Sequence, residues 1–183
     1  MNAQLKAINI MRKRLDDVLQ SYWSEMFTLK YESSWSAKMQ AKAIFEYGHQ
    51  LIAFCMHVNI LPPATANSLH TAWDAAYDNH REMRHCHEAR VVHPFIPNLS
   101  TQGVMLSFVH EAESRCNHLL HSARILDATK NFEYVSILKE LDTTIECAFD
   151  LQLITESQKQ SAYKILHEYY QHDYTHRIFN FTR

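Results

Sequence analysis

At 183 residues the chain can bury a core without disulfides or a structural metal. Its 46% hydrophobic and 21% charged composition excludes disorder, and only two glycines argue against a hairpin-rich β fold. A formal net charge of −2 excludes a general basic field for polyanions, and no run approaches the ~20 apolar residues of a spanning helix.

The thirteen histidines make the sign of the net charge pH-dependent, because protonation of a few of them near pH 6 reverses it. Cys55, Cys86, Cys116 and Cys147 are scattered and form no CxxC pair. The N-terminus lacks an uninterrupted apolar h-region, so no signal peptide is expected. Free thiols in a reducing cytoplasm are the simplest expectation.

The first predicted helix covers residues 3–30, with Ile8, Met11, Leu15, Val18, Tyr22, Met26 and Leu29 at spacings of three and four. The charged cluster around Arg12, Lys13, Arg14, Asp16 and Asp17 falls mostly off that stripe and reads as a solvated face. Ser33, Ser34 and Ser36 offer N-caps for a second helix, predicted over 37–60. Its stripe is Ile44, Tyr47, Leu51, Phe54, Cys55 and Val58, and Phe45, Ile52 and Met56 spill onto neighbouring faces. Pro62 and Pro63 end it and open a third helix over 64–89. That helix continues its apolar face through Trp73, Ala76 and Tyr77 to His80, Met83 and His87.

Residues 91–103, with Pro94, Pro97 and Gly103, form the best boundary. A fourth helix is predicted over 104–128 and a fifth over 132–153. Thr155-x-x-Gln158 is a capping box that starts a sixth, running to about residue 176. The expectation is an all-α protein of about six antiparallel helices, divided as 1–95 and 96–183, which may equally pack as one bundle. Residues 52–77 overlay 145–170 at a constant offset of 93, which raises an internal duplication into pseudo-symmetric three-helix halves.

The segment 77–93 concentrates histidines and arginines around Cys86. The plainest reading is that His80 and His87 are core or contact residues. Arg81, Arg84, Arg90 and His93 would then be exposed basic groups able to meet an acidic protein patch or a nucleic-acid backbone. Glu168, His172 and His176 share one helical face at i, i+4 and i+8, an arrangement that could ligate zinc or nickel. No HExxH motif accompanies them. The excess of aromatics on the sixth helix, with Tyr169, Tyr170 and Tyr174, suggests a partner surface. No glycine-rich phosphate loop is present, so no cofactor is expected.

Arg81-x5-His87 and Arg115-x5-His121 resemble the Arg-x(4–6)-His motif of HEPN ribonucleases. That resemblance implies a helical dimer in which arginine stabilises phosphorane charge and histidine serves as general acid or base. The residue after the arginine, often polar in that family, is Glu82 in one candidate and Cys116 in the other, and the cysteine departs from the pattern.

The primary expectation is a noncatalytic cytoplasmic interaction or regulatory module. Its partner would be another protein or a second copy of the chain. A local basic patch leaves room for nucleic acid, and no membrane role is expected.

Overall fold

Among residues 3–79, 100–126 and 132–171, which the computed structural model describes, the apolar stripes close into six helices and no strand. These are α1 (Ala3–Lys30), α2 (Trp35–His57), α3 (Pro63–Asn79), α4 (Thr101–Ile125), α5 (Phe132–Asp150) and α6 (Glu156–Tyr170). The chain divides into two compact units, Met1–Thr101 and Gln102–Arg183. The break expected after residue 95 lies outside the described residues.

In the first unit α1 packs on α2 and α2 on α3. The core takes Ala7, Ile8, Met11, Leu15 and Leu19 from α1, Leu51, Ile52 and Cys55 from α2, and Ala66, Leu69 and Trp73 from α3. Ser34 is the N-cap of α2: its side chain accepts from the Ala37 amide at 3.1 Å, so one of the helix's four orphan donors is satisfied. In the second unit α5 packs on α6. The α4 contribution to the core is Val104, Phe108, Ala112, Cys116, Leu120 and Ala123, and α4 is tied to α5 by the ion pair of Arg115 with Glu140.

The two helix–turn–helix pairs stop and restart in the same register. Periodicity carries α2 to Ile60 and α5 to Leu153, but the helices end at His57 and Asp150. The cause is a left-handed residue at equivalent places, Asn59 with φ 62° and Gln152 with φ 55°. In each turn the next amide reaches back to the helix. Ile60 donates to the Cys55 carbonyl at 2.8 Å, and Leu153 donates to Ala148 at 2.9 Å. Asn59 donates to Met56 at 3.2 Å and Gln152 to Phe149 at 2.8 Å, completing a Schellman motif in each unit. The apolar residues that follow, Ile60 with Leu61 and Leu153 with Ile154, are buried.

The restarts differ in chemistry. Thr155 caps α6 with the full reciprocal box, its hydroxyl accepting from the Gln158 amide and Gln158 Oε1 accepting from the Thr155 amide at 2.8 Å. The corresponding α3 begins at Pro63, whose fixed φ suits a first helical turn. Periodicity placed the start of α4 at Val104; the helix begins at Thr101 and runs through Gly103.

Candidate functional site

A polar cluster lies where α2 meets α3 in the first unit. His49 on α2 faces His70 and Asp74, one turn apart on α3. His49 Nδ1 is 2.7 Å from His70 Nδ1, and His49 Nε2 is 2.9 Å from Asp74 Oδ1. The two rings are 17° from parallel with centroids 4.9 Å apart. That separation is close to the nitrogen–nitrogen contact plus two ring radii, so the rings meet edge to edge in nearly one plane. This is the geometry of a true hydrogen bond and not of face-to-face stacking.

The carboxylate decides the proton positions. Asp74 can only accept, so His49 carries its hydrogen on Nε2. A neutral His49 is then an acceptor at Nδ1, and His70 must donate from its own Nδ1. The result is a directed chain in which His70 donates to His49 and His49 donates to Asp74. The second nitrogen of His70, Nε2, is left as the terminal basic position. Partial burial, and secondly the neighbouring His49, lower the His70 pKa below 6.5, with Asp74 opposing.

An aromatic column supports this chain. The Phe45 ring meets His49 edge-on at 4.7 Å and stacks on Tyr77 at 4.2 Å. Lys30 at the end of α1 lies 4.3 Å over the Tyr77 ring and donates to the Tyr77 carbonyl. Trp73 donates from Nε1 to the Phe45 carbonyl at 2.9 Å. The rotamer of His49 is thereby set by packing, and His70 is positioned by its bond to His49.

This cluster does not form a three-ligand metal site, because Asp74 and His70 engage opposite nitrogens of one imidazole. Among the described residues no group of three His, Cys, Asp or Glu side chains is arranged to hold a metal ion. Glu168 is on α6, whereas His172 and His176 of the expected metal set lie outside the described residues.

The sequence-predicted positions fall in several places. Arg81, Arg84, His87, Arg90, His93 and Tyr174 lie outside the described residues, as does Cys86. Arg115, half-buried, pairs with Glu140 across α4 and α5, while His121 is exposed on α4. Cys116 is buried between them in sequence, and burial pushes its thiol well above the ordinary range, so it is an inert core residue.

Tyr169 is buried, and its carbonyl accepts from the Tyr134 hydroxyl at 2.5 Å. Tyr170 is 46% exposed. Tyr163 donates to Glu146 Oε1 at 2.5 Å, and Lys159 binds the other oxygen at 2.8 Å. Of the aromatics read on the sixth helix, Tyr163 and Tyr169 are thus engaged inside the second unit, Tyr170 is exposed, and Tyr174 lies outside the described residues.

Sequence reasoning missed the His49–His70–Asp74 chain. His70 and Asp74 are an i, i+4 pair, a signal that was legible, but nothing local pairs them with His49. It also missed a cavity of about 360 Å³ in the first unit, lined by Asn9, Arg12, Lys13, Asp16 and Thr65 over Leu15, Leu61 and Leu69. Partial burial there lowers the Arg12 pKa, with Asp16 opposing.

No known family, curated protein or solved structure matches the chain. Among the described residues no helix is long and apolar enough to cross a membrane.

Proposed function

We propose that this protein is a noncatalytic cytoplasmic interaction module, made of two duplicated three-helix units, that binds a protein partner through the corner between the first two helices of a unit. One observation carries the reading: Trp35, the first residue of α2, is 76% exposed. It is joined by Tyr31 at 64% and Met39 at 46% exposed. Trp23, Phe27 and Tyr31 form a ring ladder along α1 that leads to this corner, with centroids 5.1 and 4.8 Å apart. A large aromatic group held in water by a rigid helix start is the side chain that dominates protein interfaces.

The second unit offers a like corner, where Ile125, Phe132 and Val135 are 72%, 86% and 44% exposed. The duplication is supported by the shared turn hydrogen bonds and by the first helices. Buried Met11, Leu15, Leu19 and Met26 recur at the same offset as buried Val104, Phe108, Ala112 and Leu119. Two like corners on one chain suit self-association as well as a heterologous partner. The expected contacts Arg81, Arg84, Arg90 and His93 carry no weight here because they lie outside the described residues.

The test is sedimentation velocity across a hundredfold concentration range, with cross-linking and mass spectrometry, on the full chain and on Trp35→Ser. Self-association, or an identified cross-linked partner, that is lost in Trp35→Ser supports the proposal. A protein that stays monomeric throughout, with cross-links indifferent to Trp35, overturns it.

A further inference from the structure

We propose that the His49–His70–Asp74 chain is a proton-operated latch between α2 and α3 of the first unit, closed while the imidazole pair holds at most one added proton and open when both rings are charged. The inference does not depend on the partner reading.

The argument is one of donor and acceptor counting. In the closed latch Asp74 fixes the hydrogen of His49 on Nε2, so the Nδ1 atoms, 2.7 Å apart, share one hydrogen donated by His70. A first added proton goes to His70 Nε2. The bond survives it, because an imidazolium still donates from Nδ1 and does so more strongly. A second proton must go to His49 Nδ1. Two N–H groups then point at each other across a distance that admits one hydrogen, and two positive rings repel. The rings must part, and the helices that carry them lose their polar clasp.

Among the described residues, few charged groups lie near the pair on its own helices and on α1. On α2 the nearest charges are Lys42 and Glu46, an exposed ion pair at 3.8 Å. On α3 they are Asp74 itself and exposed Asp78, one turn further on. From α1 the approaching charge is Lys30, held on Tyr77. Among the described residues Asp74 is the anion bonded to the pair, and it neutralises one added proton but not two.

The second unit provides an internal control. The positions offset by 93 from His49, His70 and Asp74 are Asp142, Tyr163 and His167. There Tyr163 on α6 donates to Glu146 on α5, one turn beyond Asp142, so that helix–helix clasp is built from a phenol and a carboxylate. Burial, followed by the bond to Glu146 and the nearby Asp142 carboxylate, raises the Tyr163 pKa, so that hydroxyl keeps its proton through the histidine range. Acidification over that range should act on α3 and spare α6.

The experiment is hydrogen exchange with mass spectrometry on the full chain between pH 8 and pH 4.5, corrected for intrinsic exchange. It is run on the parent and on His70→Asn, whose amide nitrogen can donate where Nδ1 does and takes no proton. The expected result is a tenfold or greater loss of protection in 63–79 of the parent on acidification. Protection in 156–170 should be unchanged, and His70→Asn should show no such loss in 63–79. Equal loss in both helices, equal loss in parent and variant, or no loss by pH 4.5 overturns the latch. Should His70→Asn not fold, ¹⁵N spectra of the parent's histidine rings decide the matter. They should show His49 Nδ1 unprotonated and His70 Nδ1 protonated at pH 8, and any other tautomer pair removes the proposal.

Discussion

The indole of Trp73 lies so close to the backbone of Gly48 that a Cβ on Gly48 would fall 2.3 Å from Trp73 Cε2. The glycine is in mid-helix, where it costs about 1 kcal/mol of propensity relative to alanine. The contact returns that cost, because it lets a fully buried Trp73 reach the Phe45 carbonyl. In the second unit the positions offset by 93 are buried Leu141 and Leu166, two medium side chains instead of one large and none.

Gly48→Ala should therefore destabilise the first unit by about 1–3 kcal/mol despite the better helix former. Urea midpoints with unchanged slope measure it. Made on a Trp73→Leu background, the same substitution should cost at least about 1 kcal/mol less, because the clashing ring is gone. Strict additivity would rule out steric conflict as the cause.

The left-handed residues that end α2 and α5 are strained for side chains, by roughly 1 kcal/mol each. Asn59→Gly and Gln152→Gly should each stabilise by about 0.5–1 kcal/mol, with the larger gain at Gln152, since asparagine tolerates this conformation better than glutamine. Thermal unfolding of both variants checks the order. A loss of stability at either site would mean that the turn is not held as described.

Thr155→Ala removes the hydroxyl that accepts from Gln158 and should cost about 1 kcal/mol. Thr155→Ser keeps the accepting hydroxyl and should leave stability nearly unchanged. Circular dichroism melts separate the two. Equal losses would show that the methyl group, and not the cap, carries the effect.

His70 has its pKa lowered by folding, chiefly by burial, so the unfolded chain binds its proton more readily. Its contribution to stability is present above pH 6.5 and is lost as the pH falls through the folded value. Urea midpoints should decline below that pH, and His70→Asn should flatten the decline. Tyr163 behaves oppositely: its raised pKa makes its contribution full below pH 10 and lost only as the pH climbs well past that. In a tyrosinate titration the Tyr163 hydroxyl should therefore stay unionised until the second unit unfolds.

Much of the architecture could be read before any coordinates. Spacings of three and four mark where helices bury a side, and Thr155 with Gln158 announced the start of α6. Periodicity marks Met105, Phe108, Ala112, Cys116, Leu119 and Ala123 as the inward stripe of α4; all are buried except Met105, which is half-buried. The ends of α2 and α5 were over-run because the signal for a left-handed stop is usually glycine. Here Asn59 and Gln152 supply that conformation with no compositional mark.

Local order along the chain thus determined the all-helical class, the six helices of the described residues and most of their core positions, because a helix face is set by neighbours three and four residues away. Tertiary structure alone decided that His49 meets His70 and Asp74, that Gly48 makes room for Trp73, and that Arg115 turns to Glu140. Each of those partnerships joins residues more than twenty positions apart on different helices. They depend on how two cylinders are rotated against each other, and that rotation is settled by the packing of the whole face and written in no single residue.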